Sequence, residues 1–140
     1  MKNSGNYPVL EINYLQYPDL ADNIWHAQMS EHPQILTYGG SDPNKRKAAM
    51  TIVEGNNTSQ VPRILSRDEY PFACTVEGGH STAIGHIPPW QNSAQGGLIS
   101  SFIRNHGLTP NCGELSKFIV KVTNHPKGEV TVPLNGNPKK

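Results

Sequence analysis

The sequence predicts an α+β fold, with a small mixed or antiparallel sheet and two to three short helices. The first observation is composition, because 13 glycines and 12 prolines in 140 residues favour a loop-rich fold of short elements over a helical bundle. The second is periodicity, since apolar residues alternate in some segments and recur at helical spacing in others. The third is the order strand, turn, strand, helix that is predicted between residues 67 and 107.

Residues 1–140 are predicted to form a single domain, with a core over about 20–122 and loosely ordered ends. The formal net charge is only +1, so contacts to a phosphate backbone would have to come from local basic clusters. No apolar run approaches the length of a transmembrane segment. We therefore expect no membrane partner.

Several elements are predicted in the first half of the chain. Alternation indicates a strand within residues 9–15. Asp19 is a candidate cap for a helix that continues to Met29, and Pro33 ends that run. After a glycine-rich turn, residues 44–53 are predicted to form a second short helix and residues 54–63 a polar loop.

The second half carries the strand, turn, strand, helix segment. Strands are predicted at 72–76 and 82–87, joined by a turn at 77–80. Asn92 or Ser93 is a candidate cap for the next helix, which Gly107 ends. A strand at 117–122 completes the sheet, and the tail from residue 126 is predicted to be frayed apart from a short strand at 130–132.

Carboxylate and amide side chains cluster in this segment. Oxygen ligands of these two types suit a hard cation such as Mg²⁺, and such a cation is a common means of cleaving a phosphodiester. Surface charge, a solvated turn and helix capping would explain the same residues without a function. The candidate catalytic residues are Asp68, Glu69, Glu77 and Gln95, and the candidate metal ligands are Asp68 and Asn92.

Histidine, basic residues and cysteine complete the set of candidates. His86 lies in an otherwise apolar strand and is a candidate base. Cys74 and Cys112 lack the spacing of a structural zinc site, and a disulfide or two free thiols would both fit them. Phosphate contacts are predicted for Lys45, Arg46, Arg67 and Arg104.

These motifs resemble a known family. The string Asp68-Glu69-Tyr70-Pro71, then Glu77-Gly78-Gly79, then Asn92 with Gln95-Gly96, resembles the NucA/NucB-type bacterial deoxyribonucleases. The upstream runs 27–29 and 44–49 are similar to the version found as a C-terminal domain of bacterial polymorphic toxins. The resemblance extends over roughly residues 20–122.

The resemblance implies a small nuclease that uses Mg²⁺ or Mn²⁺, with a ββα-metal (His-Me finger-like) core. It gives Asp68 the place often held by a histidine base and makes Asn92 a metal ligand, with Glu69, Glu77 and Gln95 in support. Members of the family often have an acidic residue just before that Asn, where this chain has Gln91. Asp68 and His86 therefore both stay candidates for the base.

The sequence thus leads us to expect a non-specific endonuclease that hydrolyses DNA and contacts its backbone. The resemblance also implies a toxin used in bacterial competition, secreted as part of a larger protein, acting in the target-cell cytoplasm and neutralised by an immunity protein. The N-terminus has no apolar signal-peptide core, so we expect the chain to be either cytosolic as it stands or a domain of a longer secreted protein, and the resemblance favours the second. A ribonuclease on the same scaffold and a non-enzymatic binding module are the alternatives.

Overall fold

A computed structural model describes residues 7–40, 65–78 and 82–132, and it confirms the predicted α+β fold. Two helices, five strands and one 3₁₀ turn (Gly113–Ser116) are seen within these ranges. The helices are α1 (Pro18–Met29) and α2 (Pro89–Asn105). The strands are β1 (Val9–Asn13), β2 (Ile35–Thr37), β3 (Ser66–Tyr70), β4 (Ala83–Ile87) and β5 (Lys117–Thr123).

The first sheet has the strand order β1-β5-β2 and is mixed. β1 pairs with β5 in parallel, with Leu10 opposite Val120, whereas β2 pairs with β5 antiparallel, with Leu36 opposite Phe118. Leu36, Phe118 and Val120 are fully buried. The central position of β5 therefore provides much of the hydrophobic core.

The second sheet is the antiparallel pair of β3 and β4, in which Asp68 lies opposite Gly85. α1 packs against strands of both sheets and against α2. Its apolar stripe includes Leu20 and Ile24, both fully buried. Helix α1 is thus the element that fixes the β3–β4 pair and α2 relative to the mixed sheet.

The strand predicted at 72–76 is wrong, because the structure places the strand upstream, at β3. Residues 72–78 instead form consecutive tight turns, in which Thr75 N donates to Phe72 O and Gly78 N donates to Thr75 O. Gly78 is needed there, since a Cβ at this position would lie 2.1 Å from Phe72 O.

Two further expectations are corrected. Helix α2 begins at Pro89 and not at a cap on Asn92 or Ser93, since proline at the first helical position is already pre-organised for a helix. The strand predicted within 130–132 is not formed. The predicted helix 44–53 and loop 54–63 lie outside the described residues.

The remaining elements agree with their predicted positions within one or two residues. Gly107 follows α2 with a φ of +60°, as expected for a helix terminator. Cys74 and Cys112 are not joined by a disulfide. Within the described ranges, neither helix has the length and apolar character needed to cross a bilayer.

Candidate active site

A cleft of about 330 Å³ opens between β3, the turns that follow it and α2. Polar side chains from β3 and the first turns of α2 line one part, and apolar side chains line the rest. The described lining residues are Tyr38, Arg67, Asp68, Glu69, Phe72, Ala73, Cys74, Asn92, Gln95, Gly96, Ile99, Ser100 and Ile103.

Asp68 is a buried carboxylate at the centre of β3, only 2% exposed. Its two oxygens are held by amides from two different helices. Gln95 Nε2 on α2 donates to Oδ1 over 2.7 Å, and Asn23 Nδ2 on α1 donates to Oδ2 over 2.6 Å. The carboxylate is therefore fixed in orientation from both sides.

Burial raises the pKa of Asp68 to about 6, against the lowering effect of the hydrogen bonds from Gln95 and Asn23, and the nearby charge of Glu69 adds to the rise. Desolvation disfavours the charged form, which is the usual cause of such a shift. A carboxyl group with this pKa is ionised at neutral pH and still basic enough to accept a proton. Asp68 thus has the properties required of a general base.

Asn92 and Gln95 lie three residues apart on one face of α2. Gln95 Nε2 donates a second hydrogen bond to Asn92 Oδ1 over 3.1 Å, and Asn92 Nδ2 lies 3.4 Å from Arg67 O. Gln95 Oε1 is buried and has no hydrogen-bond partner among the described residues. A buried amide oxygen of this kind is able to accept a hydrogen bond or to contact a cation.

Arg67 and Glu69 alternate with Asp68 along β3, so their side chains leave the strand on its other face. Arg67 Nη2 lies 3.2 Å from Glu69 Oε2, with the two side chains 21% and 7% exposed. Arg67 Nε is buried without a partner among the described residues. Arg67 lines the cleft, and Glu69 holds its guanidinium.

Glu77 is bound to β2 instead of the cleft. Its carboxylate accepts hydrogen bonds from Thr37 N over 2.8 Å and from Thr37 Oγ1 over 2.9 Å. Lys117 Nζ in turn donates to Thr37 Oγ1 over 2.9 Å. This network fastens the turns of 72–78 to the mixed sheet, which gives Glu77 a structural role.

The other sequence candidates are not brought into the cleft. His86 is exposed and pairs across the hairpin with Arg67, and Arg104 is exposed near the end of α2. Neither is among the described lining residues. Lys45 and Arg46 lie outside the described residues.

The sequence reasoning missed Asn23 and Gly85. Asn23 sits in the middle of α1, where an isolated polar residue is ordinarily a solvated one. Gly85 is an isolated glycine within a predicted strand, and that pattern is a signal for close approach of another group. Here the approaching group is Asn23, whose Oδ1 would lie 2.2 Å from a Cβ at Gly85.

A family model described as deoxyribonuclease NucA/NucB matches residues 24–114, which include every described lining residue of the cleft. The chain belongs to the NucA/NucB deoxyribonuclease family. No curated protein matches it. Membership of NucA/NucB makes the chain a deoxyribonuclease, with DNA as the implied substrate.

Gln91, the position where NucA/NucB members often have an acid, has a structural explanation in this chain. Gln91 is 2% exposed, and its Oε1 accepts hydrogen bonds from the backbone N–H groups of Asp19 and Leu20, both over 2.9 Å. Its Nε2 donates to Asp19 Oδ2 over 3.0 Å. Gln91 therefore accepts hydrogen bonds from two backbone N–H groups in the first turn of α1, where such groups lack partners within the helix.

The donor chemistry of this NucA/NucB cleft fits a hydrated hard cation. Asp68 would supply a carboxylate, Asn92 an amide oxygen and Gln95 its buried Oε1, which has no hydrogen-bond partner among the described residues. Over the described ranges, no group of three or more His, Cys, Asp or Glu side chains is placed to hold a metal. Mg²⁺ is commonly held by one or two carboxylates, waters and substrate phosphates, whereas zinc sites use closed sets of Cys and His.

Proposed function

We propose that this chain is a non-specific endonuclease that hydrolyses DNA phosphodiester bonds with Mg²⁺ or Mn²⁺. The observation that carries the proposal is the buried Asp68 carboxylate, held by two amides at the wall of a cleft in a NucA/NucB-family chain. In this proposal the protein contacts the sugar-phosphate backbone of the DNA, and no side chain in the cleft pairs with the edges of the bases. Contacts to the backbone alone give little sequence preference.

The roles of the side chains follow from their positions. Asp68 accepts the proton of the attacking water, because its raised pKa of about 6 leaves it ionised at neutral pH. Asn92 and Asp68 are the proposed ligands of the cation, and Gln95 keeps both oriented. When bound, a divalent cation supplies positive charge that polarises the phosphate and stabilises the leaving oxygen.

Arg67, which is among the residues that line the cleft, is the proposed contact to a backbone phosphate. A guanidinium binds phosphate oxygens through charge-assisted hydrogen bonds. Glu69 holds the guanidinium in place from the same strand. Arg104, Lys45 and Arg46 would add further backbone contacts along the DNA.

The experiment compares wild-type cleavage of a supercoiled plasmid and of an RNA of similar length, each with Mg²⁺, with Mn²⁺ and with EDTA. We expect nicked plasmid with either cation, intact plasmid with EDTA, and intact RNA throughout. Cleavage of RNA alone would make the chain a ribonuclease. If the folded protein cleaves neither DNA nor RNA, the result would support the alternative that the chain is a non-enzymatic binding module.

We also propose that the chain acts as the C-terminal toxic domain of a secreted bacterial effector, in the cytoplasm of a target cell. The support is the toxin-type resemblance of the upstream segments. A producer cell would then need an immunity protein that blocks the cleft. Expression of the chain in the bacterial cytoplasm should arrest growth, and Asp68→Asn should relieve the arrest if nuclease activity is its cause.

A further inference from the structure

Asn23 stands outside the cleft yet contacts its central carboxylate. Asn23 Nδ2 donates to Asp68 Oδ2 over 2.6 Å, and Asn23 is not among the described residues that line the cleft. It also lies one position before the segment that matches the family model, residues 24–114. Asn23 thus contacts Asp68 from helix α1 and not from the lining of the cleft.

The close approach of Asn23 depends on a glycine. Gly85 is the direct cross-strand partner of Asp68, and a Cβ at Gly85 would lie 2.2 Å from Asn23 Oδ1 and 2.5 Å from its Cγ. Separations below about 3 Å do not occur between unbonded carbon and oxygen atoms, so any larger residue at position 85 must displace the Asn23 side chain. The space above Gly85 is therefore occupied by the Asn23 amide.

Both oxygens of Asp68 are then fixed by separate donors. Gln95 holds Oδ1 from the cleft side on α2, and Asn23 holds Oδ2 from α1. A carboxylate held at only one oxygen can rotate about its terminal torsion, which is broad. With the second donor in place, the lone pairs of Asp68 keep one direction relative to the cleft.

We propose that Asn23 is a positioning residue for Asp68, and that Gly85 provides the space for it. This inference rests on the proposed function. Hydrogen bonds that orient a functional carboxylate typically change metal affinity or activity by about 10- to 100-fold when removed. Because Asn23 does not contact substrate, its loss should lower kcat and leave KM for DNA within about twofold.

The test uses the full chain in four forms beside wild type: Asn23→Ala, Asn23→Asp, Gly85→Ala and the double variant Asn23→Ala/Gly85→Ala. Asn23→Asp keeps the shape of the side chain but, when ionised, has no N–H to donate. The exposed amide variant Gln16→Ala is the matched control. Rates are expressed per folded molecule, with circular dichroism as the measure of folded protein.

We expect kcat to fall about 10- to 100-fold in Asn23→Ala, Asn23→Asp and Gly85→Ala, with Gln16→Ala at the wild-type rate. The double variant should be no slower than Asn23→Ala, because the group that Gly85→Ala displaces is already gone. Calorimetric titration with Mn²⁺ in the absence of DNA should show about tenfold weaker binding in Asn23→Ala.

Two results would overturn the inference. One is a wild-type kcat and Mn²⁺ affinity per folded molecule in Asn23→Ala. The other is a double variant whose loss is the product of the two single losses, since the two residues would then act independently. If wild type itself neither cleaves DNA nor binds Mn²⁺, the proposed function fails and this inference fails with it.

Discussion

Gln95 Nε2 donates to Asp68 Oδ1 over 2.7 Å, and this bond joins α2 to the buried carboxylate at the centre of β3. The same amide nitrogen reaches Asn92 Oδ1 over 3.1 Å. A single side chain therefore sets the position of both proposed metal ligands relative to each other.

Gln95→Leu should shift the pH dependence of activity. The hydrogen bond from Gln95 lowers the pKa of Asp68 against the larger effect of burial, so its removal should raise that pKa further above its ordinary value. We expect the acidic limb of the kcat/KM profile to move to higher pH. A limb that stays in place, or moves to lower pH, would contradict the assignment of Asp68 as the base.

Asp68→Asn should change how stability depends on pH. In the metal-free folded chain, burial raises the pKa of Asp68 from 3.8 to about 6. Between these values the unfolded chain releases the proton while the folded chain keeps it, so stability is lost as pH rises through this window. At pH 7 the ionised carboxylate costs roughly 3 kcal/mol relative to acidic pH.

The measurement is urea unfolding of wild type and Asp68→Asn in EDTA at pH 4, 5, 6 and 7. The other titrating groups are common to both proteins, so their effects cancel in the difference. We expect the free energy of unfolding of wild type to fall relative to that of the variant by roughly 2.5 kcal/mol from pH 4 to pH 7. If the stability of wild type relative to the variant stays flat or rises with pH, the raised pKa of the buried Asp68 carboxyl group is contradicted.

Gly96 and Gly97 form a matched pair on α2. A Cβ at either position meets no described atom within 4 Å, so Gly96→Ala and Gly97→Ala should each stabilise the helix by about 0.5–1 kcal/mol. Only Gly96 lines the cleft. We expect Gly96→Ala to raise KM for DNA and Gly97→Ala to leave it unchanged. Equal effects on KM would show that DNA does not approach the helix at Gly96.

Gln91→Glu should destabilise the chain at neutral pH. The substitution replaces the amide that donates to Asp19 Oδ2 over 3.0 Å with a carboxylate, and two like charges then face each other. Thermal unfolding should show a lower Tm for Gln91→Glu and recovery of the loss in Gln91→Glu/Asp19→Asn. A Tm that does not recover in the double variant would contradict the pairing of Gln91 with Asp19.

The sequence predicted the elements with clear periodicity, namely α1, β4 and β5. Residue types and the family resemblance made Asp68, Asn92 and Gln95 candidates, and the structure places all three in the lining of the cleft. β3 escaped prediction because Ser66–Tyr70 is polar, and its strand conformation depends on pairing with β4 and not on intrinsic propensity. β2 is only three residues long and leaves almost no pattern.

The contacts of Asn23 and Gln91 depend on the tertiary structure. Asn23 reaches Asp68 across 45 positions of the chain, and Gln91 reaches the start of α1 across more than 70. Neither contact has a local signature in the sequence. Conversely, Glu77 has the residue type expected of a catalytic carboxylate, but Thr37 engages both of its oxygens.

Asp68 and His86 are the two candidates for the general base. Asp68 is buried at the cleft, whereas His86 is exposed and absent from its described lining. We would measure the rate of supercoiled-plasmid nicking in Mn²⁺ by wild type, Asp68→Asn and His86→Ala, each normalised to folded protein. We expect a loss of at least about 100-fold in Asp68→Asn and a rate within about twofold of wild type in His86→Ala. A near-normal rate in Asp68→Asn, with activity lost in His86→Ala, would contradict the role of Asp68 as the base.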